Sequence, residues 1–518
     1  MALELARTLL LFASCYLLTD ASTNTMDNIL DFYPAAEGDG LKIVWAHAVN
    51  SEADLTTALA DDTMMLEADI SPEEGTGTPI MAHPPDLTSD ITLSEWINRT
   101  TETNKGMKLD IKYLEVLSDA LSVVNEYDSK IHQPLWYNAD IVPGPNSPKT
   151  PVEPVEFIST INEVYPGAVL SLGWTTFWEG NAPEQLYTWT MVFHNLNYSY
   201  PCQQAVTFPV RAVWAASSWD KWVWLLGLRD DFSITVWSSS NDDVDIDGLV
   251  EFRLNGDMKR IYYDIPESQM QDFNEALKNV PEETVGSNDQ QGWDKSKWKS
   301  VESTAAGNYV YLSTHGVGLV GESRASYIQT KDQYKLNTGD LGEVEISGKI
   351  QFVFRPDQDV FVDGDGVEIY IRTSEVDNVN SIDRGVSLYI GRDGKVILQT
   401  VSQTEVRDDV VSGQLGPSDC YSFDINDEGG EGDVTAEVKP VSCFDGTGTL
   451  PPDTKPLSLS LESPPEGNRF YVAVTKTGGN VDALLEDLTL RYSAAVFTVS
   501  STALLVAAVV VVLETLPV

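Results

Sequence analysis

Two histidines and three acidic residues in the first half of the chain have the types and spacing of a reactive site. His47 and His83 each end a short apolar segment, and Glu67 and Asp69 lie two residues apart in the segment between them. Residues two apart on a β-strand point to the same side, so this acidic pair shares a face if the segment is a strand. With Asp110 added, the three carboxylates would repel one another unless a cation neutralised them.

The next two apolar segments along the chain, after the one that ends at His83, show the same alternation. Asp110 and Lys112 share one side of the first, and Asn138 and Asp140 share one side of the second. An oxygen-rich ligand set favours Mg²⁺ or Ca²⁺ over zinc, so the three carboxylates predict a divalent-cation site. A buried salt bridge, for example with Lys112, is the alternative interpretation of any single acid. The remaining predicted pocket residues are Asn138, Asp140, Trp174, Arg211 and Trp237.

These residues would be positioned by eight predicted strands. The strands are Lys42–His47, Met64–Ile70, Pro79–His83, Gly106–Lys112, Pro134–Ile141, Ala168–Trp174, Ala205–Trp214 and Phe232–Trp237. Helical patterns such as Glu52–Ala60 lie between several of them. Eight β-units in about 250 residues predict a (β/α)8 TIM-type barrel over residues 40–283, whose strand ends converge on one mouth. A doubly wound sheet is the alternative, but its glycine-rich first turn is missing.

The second half has a different pattern. After a polar linker, assigned to residues 284–307, period-2 segments such as Val344–Arg355 and Gly366–Arg372 alternate with turn residues. This pattern predicts an antiparallel β-sandwich of jelly-roll type over residues 308–492. The segment Asp363-Gly364-Asp365-Gly366 is typical of a hairpin turn, with binding of Ca²⁺ or a glycan as the alternative.

Both ends of the chain carry apolar segments. The run Leu9–Leu18 predicts a signal peptide over residues 1–21. Ala494–Leu513 is a 20-residue stretch without charge, and no Lys or Arg follows Arg491. This stretch predicts a C-terminal membrane anchor, either a glycolipid-anchor signal or a single span.

The cysteines and sequons agree with an exported, extracellular protein. Cys420 and Cys443 enclose a short loop and predict a disulfide, which leaves Cys202 as a buried thiol. Asn98 and Asn197 begin N-glycosylation sequons. The sequence therefore predicts a glycoprotein at the cell surface.

The charge of the chain limits its partners. Lys and Arg number 33 and Asp and Glu number 79, so the formal net charge is −46. A surface this acidic repels phosphate backbones, which argues against a nucleic-acid partner. It suits divalent cations and basic proteins, although solubility alone also explains such a charge.

Six blocks of the first half resemble the menorin family. They are VWAHAVNS (Val44–Ser51), MMLEADI (Met64–Ile70), PIMAHPPD (Pro79–Asp86), KLDIK (Lys108–Lys112), WYNADIVPGPN (Trp136–Asn146) and LSLGWTT (Leu170–Thr176). The resemblance covers about residues 40–265. Menorin domains are in turn similar to phospholipase-C-like phosphodiesterase barrels, a group that includes the glycerophosphodiester phosphodiesterases.

The resemblance implies a role for each motif residue. His47 and His83 match the acid/base pair of the phosphodiesterases, with neither role assigned to either residue. Lys112 matches a lysine that contacts phosphate, and the metal ligands are matched by Glu67, Asp69 and Asp110. The phosphodiesterases follow their first histidine with Arg-Gly, whereas Ala48 and Val49 follow His47, so one phosphate-binding cation is lost.

Two functions of different classes follow from this resemblance. The first is metal-dependent cleavage or transfer of a glycerophosphodiester or phospholipid-like substrate. The second is a non-catalytic role in cell-surface adhesion, of the kind that patterns neurites, with cell-surface proteins as partners. The complete set of motif side chains favours the enzyme, and the lost Arg-Gly favours the adhesion role.

Overall fold

The structure is a computed structural model that describes most of the chain between residues 29 and 492. The described residues are 29–178, 180, 186–280, 295–301, 308–325, 327–335, 344–354, 364–373, 382, 384–402, 410–428, 433–443, 455–461 and 469–492. The predicted signal peptide, the predicted anchor segment, most of the predicted linker and Asp363 lie outside these ranges. Within them, no helix is both long enough and apolar enough to cross a bilayer.

The first half is built around a nine-stranded sheet. Its strands are β1 (Trp45–Ala46), β2 (Met65–Pro72), β3 (Pro79–Met81), β4 (Gly106–Ile111), β5 (Leu135–Pro143), β6 (Val169–Thr175), β7 (Val206–Arg211), β8 (Phe232–Trp237) and β9 (Ile261–Asp264). All except β3 run parallel and pair in chain order, forming a nearly closed barrel. Every residue of β4 and β6 is buried, as expected of parallel strands that are covered on both faces.

Helices precede, separate and follow the parallel strands. They are α1 (Ile29–Phe32), α2 (Glu52–Ala60), α3 (Leu93–Thr100), α4 (Leu117–Glu126), α5 (Pro154–Val164), α6 (Trp189–Ser199), α7 (Ala212–Ala215), α8 (Trp219–Leu226), α9 (Ile246–Asn255) and α10 (Glu267–Lys278). Short 3-10 helices span Pro34–Ala36, Gly40–Lys42, Leu114–Val116, Asp128–Lys130, Ala216–Ser218 and Lys295–Lys297. In α3 a capping box of Thr92 and Glu95 starts the helix, and Leu93, Trp96 and Ile97 form its buried stripe.

The predicted fold class is wrong in the barrel half. The segment Pro79–His83 is not a barrel strand, because β3 pairs antiparallel with β2, and the last parallel strand is β9 rather than β8. Among the described residues no backbone ladder joins β1 to β9, so the barrel is only nearly closed. A short apolar run identifies a buried strand but not its partner, which explains the confusion of β3 with a barrel strand. The strand order has no reversal, which also excludes the doubly wound sheet.

The second half contains two antiparallel sheets, of eight and seven strands. Their strands are β10 (Trp298–Val301), β11 (Tyr309–Leu312), β12 (Val317–Val320), β13 (Tyr327–Thr330), β14 (Tyr334–Lys335), β15 (Val344–Phe354), β16 (Gly366–Thr373), β17 (Arg384–Gly391), β18 (Lys395–Ser402), β19 (Val410–Gln414), β20 (Cys420–Asp427), β21 (Val434–Pro440), β22 (Leu457–Leu461), β23 (Arg469–Thr477) and β24 (Val481–Tyr492). The larger sheet has the order β10-β13-β23-β16-β17-β18-β19 with β14 also on β23, and the smaller has β11-β12-β24-β15-β20-β21-β22.

The jelly-roll prediction is therefore also wrong. A jelly roll has eight strands in two sheets, whereas these two sheets together are nearly twice that size. The difference arises from short strands, such as β11, β12 and β13, that have too few residues to show a clear period-2 pattern.

The two halves pack against each other through aromatic side chains. Tyr311 of β11 donates a hydrogen bond to Asn197 Oδ1 of α6 at 3.2 Å. Its ring lies 6.0 Å from Phe193 and 6.3 Å from Trp224, centroid to centroid. Tyr311 is fully buried, so this contact is part of the hydrophobic core of the barrel half.

The predicted disulfide is confirmed. Cys420 and Cys443 are bonded with their Cα atoms 5.3 Å apart, and Cys202 is a buried cysteine outside this disulfide. Because disulfides persist in oxidising compartments, this bond points to a secreted or extracellular protein.

Candidate functional site

The predicted site residues of β2, β4 and β5 meet because these strands pair in register. Asp69 of β2 lies beside Asp110 of β4, and Asp110 lies beside Asn138 of β5. Glu67 precedes Asp69 by two residues on the same side of β2. The strands run parallel, so their carboxyl ends lie at one end of the barrel, here called the mouth.

Three carboxylates form a compact cluster at this mouth. Glu67, Asp69 and Asp110 each offer one oxygen, and these oxygens lie within 4.8 Å of one another. The three side chains are 2%, 6% and 13% exposed. Among the described residues this is the one group of three or more such ligands that could hold a metal ion. We call it the carboxylate triad.

Lys112 neutralises part of the carboxylate triad. Its Nζ lies 2.7 Å from Asp69 Oδ1 and 2.6 Å from Asp110 Oδ2. The structure therefore places this lysine between two predicted metal ligands. Asn50 holds Asp69 from the other side, since its Nδ2 donates to Asp69 Oδ2 at 2.6 Å and its Oδ1 accepts from the Asp69 amide at 2.8 Å.

The pKa values of the acids differ according to their neighbours. Burial raises the pKa of Glu67 to about 7, although His47 and Lys108 act in the opposite direction. Burial and the charge of Asp110 raise the pKa of Asp140 to about 7. Burial also acts to raise the pKa of Asp110, but Lys112 outweighs it and holds that pKa below its ordinary value.

His47 is held at the seam between β1 and β9. Its Nδ1 lies 3.1 Å from both carboxylate oxygens of Asp264 and 3.6 Å from Glu67 Oε2. Desolvation lowers the pKa of His47, but the carboxylates of Asp264 and Glu67 raise it by more, to about 9. The ring is therefore protonated at neutral pH, and Nδ1–H donates to Asp264.

Sequence reasoning missed Asp264 and Lys108, and it also missed Asn50. Asp264 is the last residue of β9, and Lys108 Nζ lies 3.4 Å from its Oδ2. The side chains of both are almost completely buried, at 1% and 4% exposure. Lys108 lies two residues before Asp110 in KLDIK, so the alternation that identified Asp110 and Lys112 also contained Lys108.

His83 is not joined to the carboxylate triad. It follows Ala82, whose amide donates to the Asp69 carbonyl at 2.9 Å, so its backbone lies close to the end of β2. Its side chain is exposed, and Nδ1 contacts the carbonyl oxygen of the next residue, Pro84, at 2.6 Å. Within the described residues, no hydrogen bond or ion pair connects the His83 ring to His47 or to a predicted metal ligand.

The remaining predicted pocket residues divide into two groups. Arg211 is paired with Asp242 at 2.8 and 2.7 Å and lies 5.1 Å from the ring of Trp237. The Trp237 ring is parallel to the ring of His47 at 6.5 Å, so these residues line the same part of the mouth. Trp174 is instead a core residue, 1% exposed, whose Nε1 donates to the carbonyl of Met191.

The two sequons differ in their surroundings. Asn98 is exposed on α3, whereas Asn197 accepts the hydrogen bond from Tyr311 where the two halves meet. A glycan on Asn98 would extend into solvent, and one on Asn197 would be attached at Nδ2, next to the Oδ1 that accepts the Tyr311 hydrogen bond. Glycosylation at either position stays a prediction.

Comparisons with known proteins agree with the resemblance found in the sequence. A family model described as the menorin N-terminal domain matches residues 39–270, and one described as the menorin C-terminal domain matches residues 293–490. The human protein named Protein FAM151B is 36% identical over 258 residues, which are 48% of this chain and 94% of that protein.

Solved structures similar to part of the chain include lectins and lectin-like domains. A legume lectin-like domain from Entamoeba histolytica has a TM-score of 0.26 and 11% identity, covering 38% of this chain and 89% of that one. The metal-free form of lectin I-B4 from Griffonia simplicifolia has a TM-score of 0.25 and 13% identity, covering 40% of this chain and 94% of that one. At such TM-scores the similarity supports no conclusion about a ligand.

Proposed function

This chain belongs to the menorin family, and we propose that its barrel mouth is a phosphodiesterase-type site that depends on a divalent cation. The observation that carries the proposal is the juxtaposition of the carboxylate triad with a protonated His47 held by Asp264. An anionic cluster able to hold a metal ion beside a proton donor is a combination that can cleave a phosphodiester. The proposed substrate is a glycerophosphodiester or a phospholipid-like molecule.

The charges at the mouth support a divalent cation. Five carboxylates interact there with two lysines and one imidazolium, which leaves a charge of −2 when all five are ionised. The acids are Glu67, Asp69, Asp110, Asp140 and Asp264, and the cations are Lys108, Lys112 and His47. Mg²⁺ or Ca²⁺ would be held by the carboxylate triad, because both ions prefer oxygen ligands. When bound, such an ion neutralises charge that develops on phosphoryl oxygens.

His47 is suited to the acid role in this proposal. Its raised pKa keeps the ring protonated at neutral pH, and Asp264 holds Nδ1, so Nε2–H is the proton available for a leaving oxygen. General acid catalysis of this kind contributes roughly 10²–10⁴ in rate. His83 is the candidate for the complementary base, from the exposed segment that follows β3.

Ion titration combined with turnover tests the proposal. Calorimetry with Mg²⁺ and Ca²⁺ should show one divalent ion bound to the wild type, and Asp69→Asn should weaken that binding. His47→Ala should keep the ion and lower the turnover of glycerophosphodiesters or lysophospholipids by roughly 10²–10⁴. Asp119→Asn is the matched control, because Asp119 is an exposed acid on α4. If the wild type binds no ion at millimolar concentration, the proposed site is wrong.

Cell-surface recognition without catalysis is the second candidate function. It is favoured by the exposed position of His83, which leaves the second histidine of the motif without a contact to the carboxylate triad in the described part of the chain. If the protein binds the ion but turns over no phosphodiester, recognition without catalysis is the better-supported function.

We also propose that the protein is exported and held at the cell surface by its C-terminus, through either a lipid anchor that replaces residues 494–513 or a membrane span formed by them. The disulfide supports export. Treating expressing cells with a phosphatidylinositol-specific phospholipase should release a lipid-anchored form, whereas retention on the membrane would indicate a protein span.

A further inference from the structure

We propose that Lys112 is an exchangeable counter-cation of the carboxylate triad, which must leave Asp69 and Asp110 before a divalent ion can bind there. This inference rests on the proposed function, since it concerns the same cation site. It adds a competition between a side chain of the protein and the ion.

The position of Lys112 follows from its place in the chain. It comes directly after β4, and its amide donates to the carbonyl of Ile70 at 3.1 Å, which continues the strand pairing by one residue. Its side chain therefore falls on the same side as that of Asp110, two residues earlier. The result is an ammonium group 2.6 Å from Asp110 and 2.7 Å from Asp69.

An ion and this ammonium group would compete for the same two carboxylates. Lys112 already occupies one oxygen of Asp69 and one of Asp110, and Mg²⁺ and Ca²⁺ bind carboxylate oxygens at about 2.0–2.6 Å. Two cations on the same pair of carboxylates would repel each other strongly in a site shielded from water. The ammonium group therefore opposes binding of the ion for as long as it stays on Asp69 and Asp110.

The second lysine of the mouth differs from Lys112 in both partner and exposure. Lys108 pairs with Asp264, and both side chains are almost completely buried. The side chain of Lys112 is 20% exposed, so it borders solvent and has a route away from the triad. Lys108 is thus a fixed counter-cation and Lys112 an exchangeable one. When an ion binds, Lys112 becomes a free cation at the mouth for an anionic ligand.

Two measurements on the full chain test this competition. In calorimetric titrations with Mg²⁺ and with Ca²⁺, Lys112→Met should bind the ion about tenfold or more tightly than the wild type, because a competing charge at contact distance has been removed. Lys112→Gln should act in the same direction. Lys130→Met is the control, because Lys130 is 47% exposed and pairs with Glu102 away from the mouth.

The second measurement uses only the wild type, so it does not depend on the folding of a variant. Acylation of lysines by an N-hydroxysuccinimide ester, followed by peptide mass spectrometry, should modify Lys112 several-fold faster in saturating Mg²⁺ or Ca²⁺ than in chelator. Labelling of Lys130 should not change.

The outcomes separate this inference from the proposed function. A wild type that binds the ion, with no gain in affinity in either Lys112 variant or with unchanged labelling of Lys112, would overturn the competition and leave the cation site standing. A wild type and variants that all fail to bind an ion would overturn the cation site as well.

Discussion

At the scale of single residues, the state of each ionisable group at the mouth is set by one or two neighbours. Asp264 and Glu67 keep His47 protonated, and Lys112 keeps Asp110 ionised. Burial and the charge of Asp110 outweigh the lysines around Asp140, and its pKa is raised to about 7. Single conservative substitutions should therefore change the protonation states of the groups at the mouth.

Replacing Asp264 should change the titration of His47. Asp264→Asn removes the carboxylate that contributes most to raising the His47 pKa, so this pKa should fall from about 9 toward or below its ordinary 6.5. Proton NMR of the imidazole signals can follow the change, since the chain has five histidines. Asp257→Asn, at a carboxyl that is 40% exposed, is the control. An unchanged His47 titration would contradict the proposed pairing.

The same pair makes stability depend on pH in a defined direction. A histidine whose pKa is higher in the folded than in the unfolded state stabilises the fold below the unfolded pKa of 6.5, and this contribution is lost as the pH rises to about 9. Between pH 6.5 and 9, the free energy of unfolding should therefore fall less in Asp264→Asn than in the wild type.

The sequence could predict which residues of β2 and β4 meet. The alternation of Glu67 and Asp69, and of Asp110 and Lys112, is a local property of a strand, and adjacent strands in a parallel barrel bring such pairs together. It could not predict that Asp264 holds His47, because that contact joins residues 217 positions apart. Nor could it show that the side chain of His83 is exposed beyond the end of β3.

At the scale of elements, the turn before β16 contains a buried acid without a partner. Asp365 is 2% exposed, and neither of its carboxylate oxygens has a hydrogen-bond partner in the described part of the chain. Its Oδ1 is packed so closely against Gly478 that a Cβ there would lie 2.0 Å from it, which requires glycine at that position. A buried carboxylate without a hydrogen-bond partner lowers the stability of the fold.

Asp365→Asn should therefore stabilise the protein. The amide has nearly the same shape without the charge, so the free energy of unfolding should rise by about 1 kcal/mol or more at neutral pH. Urea denaturation followed by fluorescence can measure it, with the exposed Asp332→Asn as the control. A loss of stability would mean that the carboxylate has a favourable partner in solution.

The prediction of elements failed where strands were short. β9 has four residues and β3 has three, and both are apolar and buried, so their patterns do not distinguish a barrel strand from a strand at its edge. The longer β2, β4, β5 and β6 were recognisable because they read as continuous buried runs. Pairing partners depend on contacts distant in the chain, which no local pattern records.

At the scale of the whole molecule, the two halves meet near a carboxylate with a raised pKa. Glu486 of β24 is half-buried, and burial together with the charges of Asp220 and Asp487 raises its pKa to about 8. Lys349 and Lys221 act in the opposite direction. Because Asp220 belongs to α8 of the barrel half, ionisation of Glu486 adds repulsion between the halves.

Stability should consequently fall as Glu486 ionises. A carboxyl whose pKa is higher in the folded than in the unfolded state destabilises the fold progressively as the pH rises from about 4.5 to 8. Glu486→Gln stays neutral, so its melting temperature should fall less than that of the wild type between pH 6 and 9. Scanning calorimetry can measure this, with Glu251→Gln, an exposed acid on α9, as the control. Equal pH dependence in both proteins would contradict the assignment.

Anomalous diffraction from crystals soaked in Mn²⁺ would show whether the carboxylate triad binds a divalent cation. Mn²⁺ shares the oxygen preference of Mg²⁺ and scatters anomalously. We expect one strong anomalous peak coordinated by Glu67, Asp69 and Asp110, with the Lys112 ammonium group moved away from Asp69 and Asp110. A mouth without a peak, in crystals where Lys112 still bridges the two aspartates, would contradict it.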